Sequence, residues 1–301
     1  MSAGPVVLAG DAHPALAADI ARRCGAPLLA CPVAAFADGE TRVRIEGELA
    51  GADLYVVQPT CAPTNERLMT LALMADAARA AGAARVTALV PYFGYARQDV
   101  RKHPGEPRSA QLAARLLAAA GVDRLVALDL HSPALESAFT MPVVHLLADE
   151  ALLPALRAWA LPKPMIVSPD AGGLKRAQRC AGALGAPLAV LAKTRPRADV
   201  AQALEVLGDV RGRDCVILDD MASTGGTIAA AAEALRAAGA QSVHALFVHA
   251  VLAPGALERL GAARLGRVAT TDSVPPPPAA RLEVIGIAPL LAAALTRLAA
   301  H

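Results

Sequence analysis

The sequence predicts an α/β protein built from two similar halves, each a mainly parallel sheet flanked by helices. Three observations predict it. Short apolar runs alternate with Ala-rich helical stretches along nearly all of the 301 residues, which is the order of parallel strands joined by crossover helices. A pattern of helix end, Gly and strand occurs at 80–90, 117–131 and 235–249; Leu117-Ala-Ala-Ala-Gly-Val-Asp-Arg-Leu-Val-Ala-Leu-Asp-Leu-His131 parallels Leu235-Arg-Ala-Ala-Gly-Ala-Gln-Ser-Val-His-Ala-Leu-Phe-Val-His249. The length suits two domains of about 150 residues each.

Taken in order, Val6 to Leu8 reads as a first strand and Asp11 to Cys24 as a helix. Phe36 to Glu40 is a turn, followed by Thr41 to Ile45 in strand alternation. Leu54 to Gln58 is a short strand, Asn65 to Gly82 a long helix and Val86 to Val90 a buried strand. A loop, Pro91 to Asp99, and a breaker, His103 to Pro107, come next. Ser109 to Ala120 is helical and Leu125 to Asp129 a strand that ends in Leu130-His131. A domain boundary is expected near Pro142 to Leu147. The second half reads as a strand at 164–170, a Gly-Gly turn and helix at 171–184, a strand at 188–192 and a basic loop from Lys193 to Ala198. A four-proline spacer at 275–278, a last strand at 282–287 and a last helix at 288–300 complete the chain. In such sheets ligands bind beyond the carboxyl ends of the strands.

Composition excludes several classes. The net charge of +2 gives no strong field for nucleic acid or anionic lipid, and aromatics make up only 3%, too few for base-stacking platforms. No run of about 20 apolar residues predicts a membrane span, and the N-terminus lacks a signal peptide's basic start and apolar core. Five scattered cysteines without a C-x-x-C fit a reduced cytoplasm and argue against a cysteine metal cluster.

The stretch Cys215-Val-Ile-Leu-Asp-Asp-Met-Ala-Ser-Thr-Gly-Gly-Thr-Ile228 carries the chemistry. Val216 to Leu218 suit a strand buried on both faces. Asp219 and Asp220 stand at its carboxyl end, Ser223, Thr224, Gly225, Gly226 and Thr227 form a tight turn, and a helix runs from Ile228 to Ala238, closed by Gly239. Backbone N–H groups at a helix N-terminus lack intrahelical partners, the dipole favours an anion, and Gly admits close approach, so this turn suits a phosphate. The two carboxylates suit sugar hydroxyls or a cation travelling with the phosphate.

This segment resembles the phosphoribosyl-pyrophosphate (PRPP) loop of the type I phosphoribosyltransferase fold. Pro91-Tyr-Phe-Gly-Tyr-Ala-Arg-Gln-Asp99 looks like a signature of the ribose-phosphate diphosphokinases, the PRPP synthetases. Four further strings agree in order and spacing: Phe36-Ala-Asp-Gly-Glu40, Gln58 to Asn65, Ser168-Pro-Asp-Ala-Gly-Gly173 and Lys193-Thr-Arg-Pro-Arg197. The resemblance implies two tandem phosphoribosyltransferase-like domains. Residues 1–145, joined by the C-terminal helix 288–301, would form the ATP side, and residues 146–287 the ribose-5-phosphate side.

The implied activity is diphosphoryl transfer from ATP to ribose 5-phosphate, giving PRPP and AMP for nucleotide, His and Trp biosynthesis. Lys193 and Arg195 would be the catalytic cations on a loop closing over the phosphates. Phe36, Asp38, Glu40, Arg97, Gln98, Asp99 and His131 would contact ATP, with Phe36, Asp38 and Glu40 reaching a neighbouring copy, so that the site is shared within a homo-oligomer. Asp170, Asp219, Asp220 and the turn from Ser223 to Thr227 would hold ribose 5-phosphate. Mg2+ would associate with His131 and Asp170, although a lone His after a strand is ambiguous by itself.

Three departures qualify the resemblance. Ser223 stands where the loop usually opens with Asp, which implies altered ribose-phosphate affinity rather than loss of function. Ser132 to Phe139 replaces a Gln-Ile-Gln-Gly-Phe-Phe-like run that contributes to subunit contacts in the family. Ala50 and Gly82 occupy places where the allosteric phosphate/ADP site has Arg and Ser, and the family's C-terminal tail has no counterpart after Leu298-Ala-Ala-His301. Weak or absent ADP allostery is expected. Two other readings, a phosphoribosyltransferase and a non-catalytic regulatory subunit, explain less. The first leaves Arg97-Gln98-Asp99 unexplained. The second conflicts with the retained Lys193, Arg195, Arg97, His131 and acidic pair.

Overall fold

Short, mainly apolar β-prone runs can be stable only when both faces are covered. The computed structural model, which describes residues 4–194, 203–277 and 281–300, places these runs at the centres of two sheets. The chain divides into two compact units. One comprises Met1–Leu147, Ser273–Pro275 and Ile287–His301; the other comprises Ala148–Asp272 and Pro276–Gly286.

The first unit contains β1 (Pro5–Ala9), α1 (Pro14–Cys24), β2 (Leu28–Leu29), β3 (Val33–Ala35), β4 (Thr41–Val43), β5 (Asp53–Val57), α2 (Thr64–Ala80), β6 (Arg85–Val90), α3 (Ser109–Ala119), β7 (Arg124–Leu128) and β8 (Val143–Leu146). Among the described residues its main sheet has the order β2-β1-β5-β6-β7-β8 with every pairing parallel. All five residues of β5 are buried, as are Val86 to Val90 of β6. The strands β3 and β4 form a separate antiparallel hairpin.

The second unit contains α4 (Asp149–Ala158), β9 (Pro164–Ser168), α5 (Leu174–Leu184), β10 (Leu188–Thr194), β11 (Ala203–Leu207), β12 (Asp214–Ala222), α6 (Gly226–Ala237), β13 (Ser242–Ala250), α7 (Ala256–Ala262), β14 (Val268–Thr271) and β15 (Glu283–Ile285). Its sheet order is β11-β10-β9-β12-β13-β14-β15, parallel except for β10 with β11. The chain then closes with α8 (Ala288–Ala299), which belongs to the first unit and packs on α1, where the Cys24 thiol lies 3.5 Å from the Ala292 carbonyl.

Local chemistry sets the boundaries. The first helix begins at Pro14 rather than at Asp11. Proline suits the first helical position, His13 Nδ1 accepts from the Leu16 N–H at 3.2 Å, and Asp11 is drawn instead to the Gln58 side chain at 2.8 Å. Gly25, at φ 62, ends it. The stretch expected to be a domain boundary contains β8, the edge strand of the first sheet, so the change of unit falls after Leu147. The basic stretch from Lys193 begins as strand, not loop: β10 runs through Thr194, with Lys193 paired to Leu204. The acidic pair lies inside β12, which continues to Ala222, and α6 starts at Gly226, two residues before the sequence reading.

Candidate active site

In a parallel sheet the ligand crevice opens where successive connections leave in opposite directions. In the second unit that point lies between β9 and β12: from β9 the chain moves outward to β10, then crosses back to β12 on the other side. Ile217 pairs with Val167, so Asp219 of β12 stands abreast of the chain leaving β9, where Asp170 begins. Asp170 Oδ1 accepts the Gly173 N–H at 3.0 Å, and the Ser168 hydroxyl donates to the Asp170 carbonyl at 2.7 Å. Gly173 lies beside β12: an added Cβ would be in ordinary contact with the Leu218 carbonyl, at 3.8 Å.

Three carboxylates therefore converge. Asp219 Oδ1 accepts the Asp220 N–H at 2.9 Å. Burial pushes the Asp219 carboxyl up to about 8, with the adjacent Asp220 and then Asp170 adding to the rise. A site that holds a proton against like-charged neighbours favours a ligand that brings hydroxyl donors or a cation.

The turn after β12 is built as an anion cradle. Gly225 sits at φ 73, and its Cβ, if present, would lie 3.2 Å from both the Ala256 carbonyl and Leu260 Cγ. A side chain there would suffer left-handed strain and a clash together. No side chain caps α6, and its first turn carries no acidic residue. Its leading N–H groups thus stand beside the acidic cluster with the helix dipole behind them. The Gly226 N–H reaches Thr224 Oγ1 at 3.4 Å.

In the first unit the 91–99 loop is shaped by close packing. The Gly94 N–H donates to Thr60 Oγ1 at 2.6 Å, and a Cβ there would lie 2.5 Å from the Thr60 carbonyl. Tyr95 adopts φ 65, and its hydroxyl bonds Asn65 Oδ1. The Gln98 N–H donates to the Tyr95 carbonyl at 2.8 Å. Arg97 and Gln98 are exposed and Asp99 is half-buried. The Ser132 hydroxyl donates to Asp99 Oδ2 at 2.8 Å, which brings the Arg97-Gln98-Asp99 loop beside His131. His131 is exposed and follows Asp129, itself at φ 41. The intervening Leu130 N–H donates to His145 Nε2 at 3.0 Å, and His145 Nδ1 faces Glu136 at 2.7 Å.

Phe36, Asp38 and Glu40 occupy the tip of the β3–β4 hairpin, all exposed. The Phe36 N–H donates to the Glu40 carbonyl at 2.8 Å, and Arg42 lies 5.6 Å above the ring. A half-exposed Phe held by a cation on one face is not a core aromatic; its other face is available for stacking.

Residues 5–121 match the family model for the N-terminal domain of ribose phosphate pyrophosphokinase, and residues 157–265 match that of the phosphoribosyl transferase domain. A ribose-phosphate pyrophosphokinase of Ralstonia nicotianae is 41% identical, across 99% of this chain and 96% of that protein. The chain belongs to the ribose-phosphate pyrophosphokinase family. A second relative of the same name, from Burkholderia pseudomallei, is 44% identical across 90% of this chain and 86% of its own length. The crystal structure of phosphoribosylpyrophosphate synthetase from Mycobacterium smegmatis matches with a TM-score of 0.92 at 38% identity, covering 98% of this chain and 99% of that one. The α/β fold of two phosphoribosyltransferase-like domains and the enzyme class are those of this family.

Within this ribose-phosphate pyrophosphokinase fold, the expected site residues fall into two groups. Asp170, Asp219, Asp220 and the turn from Ser223 to Thr227 gather in the second unit. Arg97, Gln98, Asp99 and His131 gather in the first, with Phe36, Asp38 and Glu40 on its hairpin. The Lys193 backbone lies in β10, paired to Leu204, and Arg195 lies outside the described residues. Among the described residues, no group of three His, Cys, Asp or Glu side chains could hold a metal by itself. None of their helices is long and apolar enough to cross a membrane. Sequence reading gave no role to the residues that brace these loops: Ser132 on Asp99, His145 with Glu136, and Arg259, whose Nη1 reaches the Thr224 carbonyl at 2.5 Å.

Proposed function

We propose that this chain transfers the β,γ-diphosphoryl group of ATP to the 1-hydroxyl of ribose 5-phosphate, giving PRPP and AMP for nucleotide, His and Trp biosynthesis in the cytoplasm. The observation that carries the reading is the second unit's crevice: three converging carboxylates beside an uncapped, Gly-containing helix start. The turn from Ser223 to Thr227 takes the 5-phosphate, and Asp219 and Asp220 accept the ribose 2- and 3-hydroxyls. The 1-hydroxyl oxygen forms a bond to the β-phosphorus while the bond from that phosphorus to the α,β-bridging oxygen breaks. The hydroxyl proton passes to solvent and the charge departs on AMP. Lys193 and Arg195 stabilise that charge, one as a point cation and one as a planar fork.

Arg97, Gln98, Asp99 and His131 bind ATP, with Phe36, Asp38 and Glu40 completing the site of a neighbouring copy in a homo-oligomer. The exposed hairpin tip supports that arrangement. Mg2+ takes oxygen ligands and keeps its waters; the Asp170 carboxylate suits it directly, whereas His131, a nitrogen donor, would act through a retained water or on a phosphate. When bound, it neutralises triphosphate oxygens.

In an assay with Mg2+, ATP and ribose 5-phosphate, AMP and PRPP should appear in equal amounts. Lys193→Ala should lower kcat by about a hundredfold or more, the scale of losing a charge aimed at the transition state. AMP release no greater than that of the Lys193→Ala control would favour a non-catalytic regulatory role.

Ala50 and Gly82 are adjacent: an added Cβ on Gly82 would lie 3.5 Å from Ala50 Cα, and the Gly51 N–H donates to the Gly82 carbonyl at 2.9 Å. Neither side chain offers charge to a nucleotide phosphate. Rates at saturating ATP should therefore be insensitive to micromolar ADP and need little inorganic phosphate; cooperative ADP inhibition would contradict this.

A further inference from the structure

We propose that Arg259 is a positioning residue for the phosphate turn, holding it from behind so that its backbone N–H groups face the ligand. This rests on the reading that residues 223–227 bind the 5-phosphate. Three consecutive carbonyls at the start of the turn are anchored to one segment. The Ala222 carbonyl accepts the Leu252 N–H at 2.9 Å, the Ser223 carbonyl accepts the Ala253 N–H at 2.9 Å, and the Thr224 carbonyl accepts Arg259 Nη1 at 2.5 Å. In a trans peptide the C=O and the following N–H point to opposite sides. Drawing these carbonyls toward 252–259 turns the N–H groups of Ser223, Thr224 and Gly225 the other way, into a concavity suited to an anion.

The first two anchors are backbone groups and survive any side-chain change. The third depends on one guanidinium. That side chain is exposed, so its removal leaves the core of the unit intact. Its charge also stands behind the bound phosphate. The segment itself is bent to reach the turn: Leu252 adopts φ 41 and the N–H of Val251 folds back to the His249 carbonyl at 3.1 Å. Such strain in a non-glycine residue persists where the surrounding structure demands it.

The test compares Arg259→Ala and Arg259→Lys with Thr227→Ala, which alters the turn directly. Arg259→Ala should raise KM for ribose 5-phosphate about tenfold, while kcat falls less than about threefold and KM for ATP and the unfolding temperature hold. Arg259→Lys should recover most of the loss. A raised KM in Thr227→Ala with none in Arg259→Ala would overturn the positioning role and leave the phosphate site standing. So would an Arg259→Ala defect shared by ATP and accompanied by a lower unfolding temperature, because that is a general structural loss. If neither variant changes KM for ribose 5-phosphate, the phosphate reading fails and the positioning role with it.

Discussion

Replacing Asp219 and Asp220 together with Asn should lower kcat/KM for ribose 5-phosphate by about 10³-fold while making the empty protein no less stable. Each carboxylate is assigned one or two ribose hydroxyls, and a hydrogen bond to a charged acceptor contributes about 1.5–3 kcal/mol. Two such losses amount to about 10²–10⁴-fold. Asn keeps the shape and carries no charge, so it removes both the burial of a carboxylate, the main cause of the raised Asp219 pKa, and the repulsion from Asp220 and Asp170 that adds to it. Thermal unfolding of the double variant should therefore occur at the same or a higher temperature. A loss of activity matched by a loss of stability would mean the pair is structural.

The same carboxyl sets a pH dependence. In the empty protein Asp219 is raised from 3.8 to about 8. Its proton stabilises the fold fully below 3.8, and that contribution is lost as pH rises through about 8. Sugar hydroxyls favour the ionised form, so binding expels the proton. Affinity for ribose 5-phosphate should rise with pH and level off above about 8. The ligand's own phosphate ionises in part of this range, so the informative quantity is the part of the slope that Asp219→Asn removes. An identical slope in wild type and Asp219→Asn would contradict the shift.

Gly225→Val should lower kcat/KM for ribose 5-phosphate by about 10²-fold or more. At φ 73 a residue with a Cβ carries about 1–2 kcal/mol of left-handed strain, and branching adds to it. The new Cβ would also stand 3.2 Å from the Ala256 carbonyl and from Leu260. The turn can relieve both only by moving the N–H groups proposed to hold the phosphate. Gly226→Ala is the contrast: that position lies outside the left-handed region and its Cβ would meet only Thr224 Oγ1 at 3.4 Å. Its effect should be several-fold smaller. Equal effects would mean the loss comes from crowding the ligand rather than from the shape of the turn.

Much of this architecture was legible in the chain. Val86 to Val90 reads as a buried strand and is one, and the acidic pair followed by Thr-Gly-Gly-Thr marks the turn proposed to hold the phosphate. The failures have physical causes. Val143 to Leu146 is too short a run, next to Pro142, to distinguish an edge strand from a linker. Asp219 and Asp220 looked like the end of a strand because acidic residues are poor strand formers, yet pairing with β13 carries β12 past them to Ala222. Lys193 continues β10 for the same kind of reason, through its pairing with β11.

Positive φ at Tyr95 and Leu252 has no signature in residue type, and at Asp129 only the weak one that Asp tolerates it; all three sit in loops that shape the proposed sites. Arg259 was invisible because its partner is a backbone carbonyl 35 residues away. Sequence reading finds residues whose chemistry is unusual, and it passes over ordinary residues whose placement matters.

The most direct measurement is a crystal structure of the protein with ribose 5-phosphate, Mg2+ and a non-hydrolysable ATP analogue. The account predicts the 5-phosphate against the backbone N–H groups of residues 223–227, with the 2- and 3-hydroxyls on Asp219 and Asp220. A sugar phosphate bound elsewhere, or an acidic pair that makes no contact with it, would contradict the account.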